Sequence, residues 1–200
     1  MTGIILAGGK SKRFGGKIDK ALLPLNNKPT VQWIIEKLNS FFPETILVTN
    51  QPENFSQFPV KLVSDIYPGY AALSGLHSGL HYSKNFYNFV VACDLPFVLP
   101  ELIRCLVKNK ENYDIVIPWL KTGQEPFCAI YSKNCLQPIS EQIKKGAKPR
   151  IIDFFKEVKL LKIKEEEIKK IDPDLISFFN INTPKDYRKA QQLAKKFLSV

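Results

Sequence analysis

The sequence predicts an α/β fold, a mostly parallel sheet covered by helices on both faces, and three observations carry that expectation. Short apolar runs of strand length alternate with helical segments. Several of these runs end in glycine, asparagine or aspartate. The first of them, Gly3-Ile4-Ile5, leads through Leu6-Ala7 into a Gly8-Gly9 loop. In open sheets of this kind ligands bind beyond the carboxyl ends of the strands, so these polar residues are the first site candidates.

The elements follow in order. Pro29 to Asn39 reads as a helix, with Pro29 suited to the first turn, Val31, Ile34, Ile35 and Leu38 at helical spacing, and Pro43 as a stop. Thr45-Ile46-Leu47-Val48-Thr49 has the β-branched content of a buried strand and ends at Asn50. Val60 to Val63 is a short strand ending at Asp65, and Leu73 to Tyr82 is a helix reached through Tyr67-Pro68-Gly69. Phe89 to Cys93 is a strand that delivers Asp94-Leu95-Pro96. Pro100 to Lys108 reads as a helix, Asp114 to Ile117 as a strand, and Phe127 to Tyr131 as a strand after a turn at Gly123. Leu136 to Lys144 is helical, Val158 to Ile163 and Ser177 to Ile181 are expected strands, and Lys185 to Leu198 closes as an amphipathic helix.

With 200 residues, 44% apolar and 12% aromatic, the chain is expected to form one domain, 1–200, without repeats or linkers. A formal charge of +10 favours anionic partners. Nucleic acid is not expected, because the basic residues of the Lys159 to Lys170 stretch alternate with Glu165-Glu166-Glu167 and read as a solvated face. No apolar run approaches the ~20 residues of a membrane span, and Met1 to Ala7 carries no basic leader, so a cytosolic, soluble protein is expected. Cys93, Cys105, Cys128 and Cys135 lack zinc-ligand spacing and read as reduced thiols. His77 and His81 share a helix face, but without a nearby acidic ligand they read as ordinary helix residues.

The segment Leu6-Ala7-Gly8-Gly9-Lys10-Ser11-Lys12-Arg13-Phe14-Gly15, closed by Asp19-Lys20, reads as a phosphate cradle. Adjacent glycines let backbone N–H groups approach anionic oxygens, and Lys10, Lys12, Arg13 and Lys20 supply positive charge. A P-loop would place glycine where Ile4 stands, and the dinucleotide pattern would place it at Lys10, so both are excluded. Asp94, delivered by an apolar strand and stiffened by Pro96, is suited to Mg²⁺, which binds through one or two carboxylates plus substrate phosphates. Asn50, Asp65 and Asn182 also follow apolar runs. Singly each has a bland reading as a turn former or cap; as a set with the glycine loop and Asp94 they mark one edge of the sheet.

Leu6-Ala7-Gly8-Gly9-x-Ser11-x-Arg13-Phe14-Gly15 with Asp19-Lys20-Ala21-Leu22-Leu23 resembles the signature of the Rossmann-like nucleotidylyltransferases, and most of all that of the molybdenum cofactor guanylyltransferases. Here Gly16-Lys17-Ile18 makes the loop one residue longer than the usual spacing, and Ala71-Ala72 replaces the Gly-Pro of the segment that lines the nucleoside. The resemblance implies a three-layer α/β/α fold with a mostly parallel, mixed sheet. It implies transfer of GMP from MgGTP to the terminal phosphate of molybdopterin, with Asp94 on Mg²⁺ and Lys20 and Arg13 on the phosphates. Leu6, Ala7, Gly8 and Gly9 would bind the nucleotide, together with Asn50 and Asp65. Gln124 to Tyr131, the Gly146 to Arg150 turn and Asn180 to Pro184 resemble acceptor-side segments, which gives Arg150, Asn180 and Asn182 to the acceptor. Molybdenum cofactor insertion proteins or apo-molybdoenzymes are the implied recipients, and a monomer is expected. CTP on the same pterin, another nucleotide on a sugar phosphate, or a non-catalytic nucleotide- or RNA-binding protein are the alternatives.

Overall fold

The computed structural model describes residues 1–8, 19–146 and 150–198. Its strands are β1 (Thr2–Leu6), β2 (Pro24–Leu25), β3 (Lys28–Pro29), β4 (Glu44–Val48), β5 (Lys61–Val63), β6 (Tyr87–Ala92), β7 (Ile115–Leu120), β8 (Gly123–Gln124), β9 (Cys128–Ser132) and β10 (Leu160–Lys164). Its α-helices are α1 (Thr30–Phe41), α2 (Ala71–Tyr82), α3 (Pro100–Lys108), α4 (Leu136–Lys144), the single turn α5 (Glu165–Ile168) and α6 (Pro184–Phe197).

The main sheet has the order β10-β7-β9-β6-β1-β4-β5, with β8 folding back on β7. β1 pairs in parallel with both β4 and β6, β4 with β5, and β7 with β10; β9 lies antiparallel between β6 and β7. All of the long strands except β9 therefore point the same way, and their carboxyl ends share one edge. The mixed, mostly parallel sheet is the one expected from the sequence.

Alternation along the central strands assigns the two faces. Ile5, Leu47, Phe89 and Val91 pack with Val31, Ile34, Ile35 and Leu38 of α1 and Leu102, Ile103 and Leu106 of α3. Ile4, Leu6, Ile46, Val48 and Val90 pack with Leu73, Leu76 and Leu80 of α2 and Ile139 and Ile143 of α4. Because both faces are covered, these strands read as continuous apolar runs. Helix α2 lies close on the sheet: a Cβ at Gly79 would stand 2.6 Å from Ile4 Cγ2. Among the described residues no helix is long and apolar enough to cross a membrane.

Two departures from the sequence reading concern the chain ends. Ser177 to Ile181 forms no strand; Ile176–Phe178 is a 3-10 turn. The carboxylate of Asp172 accepts the N–H groups of Ile176 and Ser177 at 2.8 and 2.9 Å, and Leu175 enters the left-handed region at φ 52°. Local side-chain-to-backbone bonding thus overrides the β propensity of the segment. The second departure is the β2–β3 hairpin, turned by Asn26 and Asn27 at φ 44° and 63°. Asparagine tolerates that conformation. The hairpin holds the last helix: Asn26 Nδ2 donates to the carbonyls of Ala194 and Leu198 at 2.7 and 3.3 Å, and Tyr187 Oη donates to Pro24 O at 2.6 Å. Thr183 caps α6 in a capping box with Asp186.

Candidate active site

Beyond the carboxyl ends of β1, β4, β5 and β6 lies a cavity of about 590 Å³. Each strand delivers residues to it: Leu6, Ala7 and Gly8 after β1, Val48 to Asn50 after β4, Asp65 after β5, and Ala92 to Asp94 after β6. Asn180 and Asn182 reach it from the segment before α6.

Lys20 lines it as well. The 3-10 turn Lys20–Leu22 is capped by Asp19, whose Oδ1 accepts the Ala21 N–H at 2.9 Å and so fixes where the lysine starts. Lys20 Nζ donates to Asp94 Oδ2 and to Asn182 Oδ1, both at 3.1 Å. Burial raises the carboxyl of Asp19, with the Ala21 bond and the Lys20 charge opposing.

Asp94 is anchored by its own backbone, which accepts the N–H of Ile181 at 3.1 Å. Its Oδ1 is buried and makes no hydrogen bond. A buried carboxylate oxygen left without a donor is costly, and a hard cation would satisfy it, so the residues present fit a magnesium ion. No group of three His, Cys, Asp or Glu residues that could cage a metal occurs among the described residues. Mg²⁺ shared with substrate phosphates does not require one.

Asn50 and Asp65 form a reciprocal pair across β4 and β5: Asn50 Nδ2 donates to Asp65 Oδ2 at 2.8 Å, and Asp65 N–H to Asn50 Oδ1 at 3.0 Å. Burial raises the carboxyl of Asp65, and the bonds from Asn50 and Ser74 pull it back in part. The loop that follows is tied to α2, with Ile66 N–H on Ser78 Oγ at 2.8 Å and Tyr67 N–H on Ser74 Oγ at 3.3 Å. Gly69 turns it at φ 99°, where a side chain would be strained. The two glycines of α2 divide their roles. Gly79 is where the helix meets Ile4, while Gly75 lines the cavity.

The structure therefore brings together Leu6, Ala7, Gly8, Lys20, Asn50, Asp65, Asp94, Asn180 and Asn182. Gly9 and Arg13 lie outside the described residues. Arg150 does not line the cavity. It is exposed, its Nη2 lies 3.2 Å from Asp153 Oδ1, and it borders a separate depression with Trp119, Gln124, Lys145 and Lys162. Phe127 and Cys93 line the cavity without having been singled out; both adjoin apolar strand cores, and nothing in their residue type marks a ligand.

A three-layer α/β/α sheet with its cavity at the carboxyl edge, closed by a lysine–aspartate–asparagine node, defines the class of Rossmann-like nucleotide-handling proteins. Within that class, the chain belongs to the MobA-like NTP transferase domain family, which matches residues 3–159. It is 34% identical over 196 residues to a molybdenum cofactor guanylyltransferase of Desulfosudis oleivorans, covering 98% of this chain and 96% of that one. A probable molybdenum cofactor guanylyltransferase of Clostridium perfringens is 39% identical over 186 residues, covering 92% of each chain. Among solved structures, molybdopterin-guanine dinucleotide biosynthesis protein A from Archaeoglobus fulgidus superimposes with a TM-score of 0.85 at 30% identity, over 98% of this chain and all of that one.

Proposed function

We propose that the chain transfers GMP from MgGTP to the terminal phosphate of molybdopterin, releasing pyrophosphate and forming molybdopterin guanine dinucleotide. The observation that carries the reading is the node in which Lys20 bridges Asp94 and Asn182 at 3.1 Å each, inside a cavity of nucleotide size. Full-length relatives that carry the guanylyltransferase name support it.

Asp94 holds the metal, and bound magnesium supplies charge neutralisation on the phosphates. Lys20 and Arg13 bind phosphate oxygens. The backbone from Leu6 to Gly9, with Asn50 and Asp65, receives the nucleotide, and Asn180 and Asn182 receive the acceptor. An oxygen of the acceptor phosphate attacks the α-phosphorus, the bond from that phosphorus to the bridging oxygen breaks, and the electron pair leaves on pyrophosphate. The nucleophile is already anionic at neutral pH, so no general base is needed; positioning and charge neutralisation do the catalysis. We place the reaction in the cytoplasm, in a monomer folded as one domain, with insertion proteins or apo-molybdoenzymes as recipients of the product.

Pyrophosphate release with GTP, molybdopterin and Mg²⁺ tests the proposal, with CTP, ATP and UTP in parallel. The expected result is turnover with GTP only. Preference for CTP or UTP, or release that does not depend on molybdopterin, overturns it.

A further inference from the structure

Lys37 lies on α1 and is not among the residues that line the cavity. Its ammonium group donates to the backbone carbonyls of Pro96, at 3.5 Å, and Val98. Both belong to the stretch that starts at Asp94 and ends at α3. The same stretch is held at two further points, where Asp94 O accepts Ile181 N–H at 3.1 Å and Leu99 N–H donates to Ser177 Oγ at 3.0 Å. Burial pulls Lys37 down to about 8, with Cys128 and Glu101 opposing. A half-buried cation whose partners are backbone carbonyls is a costly way to fill space. A methionine would fill the same volume without that cost.

We propose that Lys37 is a positioning residue for the metal-holding carboxylate: by fixing the carbonyls of Pro96 and Val98 it gives the Asp94 loop one conformation and the Asp94 carboxylate one direction. The inference rests on Asp94 holding the metal. Partners that orient a ligand in this way are typically worth about 10- to 100-fold in metal affinity.

The experiment measures Mn²⁺ binding to the full chain by water-proton relaxation, with GTP present and no acceptor, so that no turnover is required. Asp94→Asn tests the underlying reading: an unchanged Mn²⁺ affinity there removes the metal from Asp94. With that loss established, Lys37→Met is expected to weaken Mn²⁺ by about tenfold while metal-free GTP affinity stays within about twofold of the parent. Ile35→Val, a buried change on the same helix, controls for mere destabilisation and is expected to leave Mn²⁺ affinity unchanged. Mn²⁺ affinity within about twofold of the parent in Lys37→Met, or an equal loss in Ile35→Val, overturns the inference. If Lys37→Met does not fold, Lys37→Arg, which keeps the donors, decides: retained Mn²⁺ affinity supports the assignment, and a tenfold loss rejects it.

Discussion

The imidazole of His77 is wedged between α2 and α4, with Nε2 at 3.0 Å from Ser140 Oγ and Nδ1 buried without a partner. Burial, helped by His81, lowers it from 6.5 to about 4, whereas burial raises Glu125 from 4.5 to about 7. The two act oppositely on stability. Between pH 4 and 6.5 the unfolded chain binds more protons at His77, so its contribution is full above 6.5 and is lost as pH falls to 4. At Glu125 the folded chain binds more, so the contribution is full below 4.5 and is lost as pH rises to 7. His77→Gln is expected to make melting temperature fall more steeply with rising pH over pH 4.5 to 6.5, and Glu125→Gln to make it rise more steeply; profiles that coincide with the parent refute both assignments. At this scale the sequence was informative wherever a residue follows an apolar strand, as for Asp94, Asn50 and Asp65. The Asn50–Asp65 pair and the reach of Lys20 to residue 182 depend on strand register and tertiary closure, which no local pattern encodes. The Arg150–Asp153 pair is local, three residues apart, and nothing in its spacing marks an acceptor contact.

Helix α2 offers a clean separation between packing and binding. At Gly79 a methyl group meets Ile4 at 2.6 Å, while at Gly75 the nearest atom, on Leu6, is 3.5 Å away. Gly79→Ala is therefore expected to cost roughly 1–3 kcal/mol in urea unfolding by pushing the helix off β1. Gly75→Ala is expected to keep or gain stability, since alanine favours helix, and to weaken GTP binding; unaltered affinity would place the nucleoside elsewhere. The β2–β3 hairpin gives a second test. Asn26→Ala removes the donor to Ala194 and Leu198 and strains a left-handed residue, at a cost of roughly 1–2 kcal/mol for the strain alone. Asn26→Gly relieves the strain but not the lost cap, so glycine should fall between alanine and the parent. Long periodic elements such as α1, α4 and α6 were legible because their apolar spacing is intrinsic to the helix. The hairpin was not, being two residues per strand, and the 3-10 turn at Ile176 was misread because Asp172, not its own β-branched content, sets its backbone.

The whole molecule carries a formal charge of +10, yet the described lining of its cavity sets Asp19, Asp65 and Asp94 against Lys20. A polyanionic nucleotide meets that lining more favourably with a divalent cation in place. GTP is expected to raise the melting temperature by several degrees with Mg²⁺ and by far less with EDTA; equal shifts would argue against a metal-dependent site. The bridge from Lys20 to Asn182 spans 162 positions of sequence, and the hairpin after Lys20 grips a helix that begins at Pro184. Chains are made from the N-terminus at about 5–20 residues per second. The lysine therefore waits roughly 10–30 seconds on the ribosome for its asparagine to be translated, so a half-made chain carries Lys20 and Asp94 but not the residue that completes their node.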